Sequence, residues 1–323
     1  MHIPSLLLVN IMMKAVLQHK NGDPTSAEVL SVVENVAIPE PNEGELLVKV
    51  ACAAINPVDY KIVEGHFPGK SNRFGSDVSG TIAKIGPGCN ATMKVGDKIY
   101  ADAIATGGSF AEYVLVQQVA ACRMPKNSTF KEAAALPLAG LTALQGLTTQ
   151  GKLQRGQKVA ILGGSGGVGS LAVQMAKALG AAHVYATGSA VELIRQLGAD
   201  TVINYREVAS VEEEMKGLEL DLVFDTVGGD DSWKAAQASL KKSGGTFVCL
   251  FGKHGTFLTN TEAPEVIADM KQLTDFIESG AVKALVDERD FQLTTESVGE
   301  IVQASMSHRT KGKLVLTVDG TQE

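Results

Sequence analysis

The residues best placed to do chemistry are glycines. A strand-like run, KVAIL at 158–162, passes directly into GGSGGVGS at 163–170 and then into the helix-forming LAVQMAKALGA, so Gly164, Gly166 and Gly169 satisfy GxGxxG between a strand and a helix. In that setting the first glycine permits a tight turn, the second lets a pyrophosphate approach the backbone, and the third lets helix and strand pack closely. The backbone of Gly164, Ser165, Gly166, Gly167, Val168 and Gly169, at the positive end of the helix, then forms a phosphate cradle. About 20 residues further on, a site for NAD places an acid on the ribose 2′-hydroxyl. Here that position reads Thr187, Gly188, Ser189, and the first acid, Glu192, already lies in the next helical stretch. Hydroxyls without a carboxylate leave space for a 2′-phosphate, which favours NADPH. Arg206, beside Tyr205, is the candidate cation, with Arg195 as the alternative; no Lys or Arg stands between Ser189 and Glu192.

A second chemical segment is Asn56-Pro57-Val58-Asp59-Tyr60-Lys61, which offers an amide, a phenol and an ammonium. Metal chemistry has no comparable signal. The six histidines are dispersed without HxxxH spacing, and Cys52, Cys89, Cys122 and Cys249 form no CxxC pair. Such scattered cysteines read as reduced thiols, which suits a cytoplasmic protein.

The elements that must position these groups follow from pattern. The chain has 323 residues, 45% of them hydrophobic, which is room for two domains at about 150 residues each. From 13 to about 123, short β-like runs (14–17, 45–50, 80–85, 98–100, 112–116) are separated by Gly, Pro and Asn, the pattern of an antiparallel barrel or sandwich. After Pro125, apolar strands at 158–162, 183–187, 201–204, 221–225 and 246–250 alternate with helices at 167–179, 190–197 and 231–241. Strands without polar alternation are covered on both faces, so this half is a doubly wound parallel α/β sheet. The tail reads as a helix at 264–279, a strand at 283–286, a helix at 294–305 and a strand at 313–318, and it returns to the first domain. The net charge of −7, with Lys and Arg scattered, excludes a nucleic-acid footprint. The apolar run at 6–9 and 11–13 is too short to span a membrane and lacks the flanks of a secretory signal. Residues 1–12 read as a disordered extension.

Taken together, RGQKVAILGGSGGVGSLAVQMAK (155–177), AAINPVDYKIVEG (53–65), RFGSDVSGTIAKIGPG (73–88), ALPLAGLTAL (135–144), LGADTVINY (197–205) and DLVFDTVGG (221–229) resemble the zinc-independent quinone oxidoreductases of the medium-chain dehydrogenase/reductase superfamily, nearest their alkenal/enone branch. The resemblance implies a GroES-like β-rich catalytic domain (13–125 and 265–323), a Rossmann NADP-binding domain (126–264) and an active site in the cleft between them. It implies NADPH-dependent reduction of quinones or of the C=C bond of α,β-unsaturated carbonyls. Gly75-Ser76-Asp77 stands where zinc-dependent relatives carry Gly-His-Glu, so no metal is expected. The same resemblance puts Asn56 and Lys61 near nicotinamide and substrate. Lys61 is then the carbonyl-polarising group, Tyr60 the alternative, and Asp59 a group that orients the loop. Thr142, Val227, Leu250 and Phe251 would line the nicotinamide, and Lys313 would reach the cofactor from the other domain. The segment 256–259 resembles an edge strand through which relatives form homodimers. Two other functions share these features: a trans-2-enoyl thioester reductase, and a protein of this fold that binds NADPH without turnover.

Overall fold

A computed structural model of the chain describes residues 12–320, apart from 70, 251–253, 255, 256, 258 and 262–264. Phe251, residues 1–11 of the expected extension, and Thr256 and Leu258 of the expected edge segment therefore lie outside the described residues. The β-rich part opens with β1 (Met12–Gln18), β2 (Leu30–Ala37) and β3 (Glu45–Ala54). A short helix, α1 (Pro57–Val63), separates these from β4 (Asp77–Ile85), β5 (Lys98–Asp102), β6 (Tyr113–Gln117) and β7 (Ala121–Arg123). The first strand begins at Met12, paired with Ala37, one residue ahead of the expected start.

Then come α2 (Phe130–Ala134), α3 (Pro137–Gln145), β8 (Lys158–Leu162), α4 (Gly167–Ala178), β9 (His183–Thr187) and α5 (Val191–Gln196). The alternation continues through β10 (Thr201–Ile203), α6 (Val211–Met215), β11 (Leu222–Asp225), α7 (Asp230–Ser239) and β12 (Thr246–Cys249). The tail holds α8 (Glu265–Glu278), β13 (Phe291–Gln292), α9 (Thr295–Met306) and β14 (Val315–Thr317).

Five parallel strands form one sheet in the order β10-β9-β8-β11-β12. The chain moves outward from β8 in one direction and then returns to its other side, so the topological switch point lies at the C-terminal end of β8, where the glycine loop begins. All four residues of β11 are buried, which is why its sequence shows no polar alternation. The other large sheet runs β13-β14-β3-β4-β5-β7, with β6 also on β3, and is antiparallel except for β13 on β14. Residues 315–317 thus pair with Cys52, Ala53 and Ala54 of β3, carrying the end of the chain back to its beginning.

Packing departs from the sequence reading in four places. The run at 283–286 is not a strand; it makes one isolated bridge, Val286 to Lys313. The strand β2 had no clear signal because it is a half-exposed partner of β1, with Asn35 at φ 62°. Helix α8, expected with the catalytic part, joins both parts: Val266, Met270, Leu273 and Ile277 are buried in a core with Leu141, Leu144 and Ile161 of the parallel-sheet half, while the Tyr100 hydroxyl of β5 donates to Met270 O at 3.1 Å. Conversely, Phe130 and Ala134 of α2 pack with Ala51, Cys52, Ala54 and Val315 of the β-rich half. An apolar helical stripe shows that a core is faced, not which core.

Candidate active site

The backbone of the glycine loop explains its composition. The left-handed turn falls on Gly163, at φ 88°, one residue before the glycine expected to make it. Gly164 serves packing instead: a Cβ there would stand 3.0 Å from the Ala186 side chain. Thr187, buried at the end of β9, ties the turn down by accepting a hydrogen bond from Gly163 N–H at 3.0 Å. A Cβ on Gly169 would meet the Gly163 carbonyl oxygen at 2.1 Å, the close helix-to-strand approach expected of the third glycine. Gly166 is different. It caps α4 in extended geometry (φ −77°, ψ 176°) without a side-chain cap, and a Cβ there would find nothing nearer than Gly163 O at 3.5 Å. The N-terminus of a twelve-residue helix without a side-chain cap fits an anionic pyrophosphate.

The second half of the site meets this loop directly. Gly312 bridges to Gly166 and donates its N–H to Ser165 O at 2.9 Å. The next residue, Lys313, runs its stem beside Gly167 and carries its ammonium into the β-rich half. There Lys313 Nζ donates to Asn56 Oδ1 and, at 2.9 Å, to Asp77 Oδ2. Both members of this ion pair are almost wholly buried. Asn56 Nδ2 donates to Asp77 Oδ2 at 2.8 Å and to Ser76 Oγ at 3.0 Å, while Asp77 Oδ1 accepts from Leu138 N–H at 2.9 Å. One polar centre therefore draws on α1, β4, α3 and the approach to β14.

Two further acids adjoin it. Asp59 accepts the Asn56 backbone N–H at 2.7 Å, which fixes the start of α1. Its burial, with Asp77 alongside, pushes the carboxyl up to about 7 against the hydrogen bonds from Asn56 and Ser76 and the charge of Lys313. Asp102 stands opposite Asp77 in the β4–β5 register. Burial, then the neighbouring Asp77, pushes Asp102 well above the usual carboxylate range. Its Oδ1 accepts from Ile104 N–H at 2.8 Å, and its buried Oδ2 has no partner among the described residues. Among the described residues no three His, Cys, Asp or Glu side chains come together as a metal site.

Of the three expected catalytic groups, Asn56 alone joins this centre. Tyr60 packs in the β-rich core with Val63 and Phe74, and burial raises its phenol. Lys61 is half-buried on α1, its ammonium lowered by burial and opposed by Glu64. The helix turns these neighbours onto different faces, a consequence of about 100° per residue. Thr142 is buried, its hydroxyl bonded to Leu138 O and Thr259 Oγ1, each at 2.6 Å. Leu250 is buried beyond β12, and Val227 is exposed after β11, its N–H held by Asp225 Oδ1 at 2.9 Å.

At the other end of the loop, Ser189 hydrogen-bonds the Tyr205 phenol. That bond, against slight burial and together with the charges of Arg206 and Arg309, lowers the phenol. The Arg206 guanidinium stands 5.9 Å from the Tyr205 ring centre. Arg195 instead pairs with Glu192 on the surface of α5. Sequence reasoning missed Arg309, which comes from the distant tail and carries no local signal. It also missed Ser76, Asp77 and Asp102 as site members; an Asp at the buried start or end of an apolar strand was the available clue.

The chain matches two family models, "Alcohol dehydrogenase GroES-like domain" at residues 42–126 and "Zinc-binding dehydrogenase" at 167–277. It is 36% identical to the 2-methylene-furan-3-one reductase of Solanum lycopersicum, over 91% of this chain and 77% of that one. It is 37% identical to the chloroplastic NADPH-dependent alkenal/one oxidoreductase of Arabidopsis thaliana, over 82% and 70% respectively. The structure of Escherichia coli quinone oxidoreductase complexed with NADPH superposes with a TM-score of 0.77 at 26% identity, covering 94% of this chain and 99% of that one.

Proposed function

We infer that this chain, which belongs to the medium-chain dehydrogenase/reductase superfamily on its zinc-independent quinone and alkenal/enone oxidoreductase branch, reduces quinones or the C=C bond of α,β-unsaturated carbonyls with NADPH. The observation that carries this reading is the junction at Gly312, which sets a glycine phosphate cradle against the buried centre of Asn56, Asp77 and Lys313. Bound NADPH supplies the hydride. The loop backbone from Gly164 to Gly169 holds the pyrophosphate, and Ser189, Tyr205, Arg206 and Arg309 receive the 2′-phosphate. Thr142, Val227 and Leu250 flank the nicotinamide end.

Hydride addition to the β-carbon leaves negative charge on the carbonyl oxygen, and donors already desolvated and oriented stabilise it most. Lys313 meets that description, whereas both N–H groups of Asn56 are already given to Ser76 and Asp77, so the polarising role moves from Lys61 to Lys313, with Asn56 holding its ammonium in place. An ammonium has three N–H donors, and Asn56 and Asp77 take two of Lys313's. The third would be the donor to the substrate oxygen.

The test follows NADPH oxidation by absorbance against a quinone, a short alkenal, a ketone enone and a crotonyl thioester. Turnover of the first three supports the reading, thioester turnover alone makes the chain an enoyl thioester reductase, and no turnover leaves a protein that only binds NADPH. A homodimer joined near β12, an edge strand of the parallel sheet, and a cytoplasmic location complete the proposal. No described helix is long and apolar enough to cross a membrane. Light scattering at a monomer's mass would remove the dimer, and a fluorescent fusion in an organelle would remove the location.

A further inference from the structure

Hydride addition to an enone is only half of its reduction, because the enolate must still take a proton at the α-carbon. Proton transfer to carbon is slow without a positioned donor, whereas a reduced quinone is protonated on oxygen and exchanges freely with water. The α-carbon adjoins the carbonyl carbon, so its donor must stand next to the groups that bind the carbonyl oxygen. Ser76 does: its hydroxyl oxygen lies 3.0 Å from Nδ2 of Asn56, the residue that holds the Lys313 ammonium, and is hydrogen-bonded to Asp59.

Behind these two side chains lies a cavity of about 30 Å³, lined by Asp59, Ser76, Arg73, Gly75, Ile104 and Gly107. That is room for an ordered water between polar partners, and not for a substrate. Gln18, Ile62, Gly69 and Ser71 line both this cavity and a second one of about 590 Å³, which is open and bordered by His19 and His66. Neither cavity is lined by the glycine loop. The shared lining thus offers protons a route to Asp59 that does not run along the glycine loop.

Resting on the reading of this site as an enone reductase, we propose that Ser76 donates the proton to the substrate α-carbon, that Asp59 reloads Ser76, and that water in the small cavity reloads Asp59. The electron balance is closed: the hydride pair forms the new β-C–H bond, the C=C π pair becomes the enolate and then the α-C–H bond, and solvent supplies the proton. Asp59 is here a relay residue, and Ser76 is the group that would meet the substrate. Charged groups around Asp59 come from every packed element: Asp77 on β4, Asp102 on β5, Lys313 before β14 and Arg73 lining the same cavity. Burial in this company raises Asp59 to about 7, so it can hold a proton at neutral pH and release it.

The experiment compares Asp59→Asn and Ser76→Ala with the wild type on a ketone enone and on a quinone, with NADPH affinity read by fluorescence. Each variant should lose roughly 10²-fold more turnover on the enone than on the quinone, with NADPH binding unchanged. Wild-type enone turnover should fall as pH rises through about 7, because the acid form donates, and Asp59→Asn should abolish that limb. Should Asp59→Asn not fold, Ser76→Ala carries the test alone, since it spares the Asn56–Asp59 bond. Equal losses on both substrates, or an intact pH limb in Asp59→Asn, would overturn the relay. Absence of wild-type turnover on any enone would overturn the enzyme reading beneath it.

Discussion

Two glycines three residues apart should fail in opposite ways when given side chains. Gly166 already has backbone angles open to any residue, and an added Cβ would have 3.5 Å of clearance. Gly166→Val should therefore fold, losing only the modest stability that separates glycine from valine as an N-cap. Its methyl groups would instead fill the space before the first N–H groups of α4. If two N–H bonds to a charged phosphate are lost, at about 1.5–3 kcal/mol each, NADPH affinity falls roughly 10²- to 10⁴-fold. Gly169 faces the reverse situation: a Cβ would sit 2.1 Å from Gly163 O and 3.1 Å from Gly164 Cα, both of them backbone that cannot rotate away. Gly169→Ala should cost about 1–3 kcal/mol through overpacking, which for a domain of this size lowers Tm by several degrees at about 2–4 °C per kcal/mol. The assay pairs cofactor-free thermal melts with fluorescence titration of NADPH for both variants. Wild-type affinity in Gly166→Val would refute the phosphate cradle, and a wild-type melt for Gly169→Ala would refute the packing account.

Other consequences can be measured independently. Lys313→Met strands Asp77 as a buried charge and should cost about 3–5 kcal/mol in urea unfolding, with at least half recovered when Asp77→Asn is added. Asp59 is raised from 3.8 to about 7 on folding, so the native state holds its proton more tightly and its contribution to stability is lost as pH rises through about 4 to 7. Asp59→Asn should flatten that fall relative to the wild type; a steeper fall would contradict the burial argument. Arg309→Ala should raise the KM for NADPH roughly ten- to hundred-fold while leaving NADH nearly unaffected, because it removes one charge-assisted phosphate contact.

Local rules carried far in the parallel-sheet half. The central strands β8 and β11 beside the glycine loop are apolar runs buried almost throughout, and the motif is read within one strand-turn-helix unit, so neighbouring residues suffice to locate it. The position of the left-handed φ escaped that reading, since Gly163 and Gly164 are identical letters and only the clash geometry distinguishes them. Around Asn56 the limits were greater. Asn56, Tyr60 and Lys61 look equally chemical as letters, yet α1 sends the phenol into the core, keeps Lys61 half-exposed and leaves Asn56 in the polar centre.

By itself, the sequence determined the two-part architecture and the strand-glycine-helix unit proposed to hold the cofactor, because each depends on periodicity or on residues adjacent in the chain. Only the tertiary structure decided that Asp77, Lys313 and Asn56 share one buried charge network across 257 positions of separation, with Asp59 and Ser76 at its edge. Such a centre arises from desolvation and cross-strand register. Both are properties of how distant segments stack, so no run of neighbouring residues encodes them.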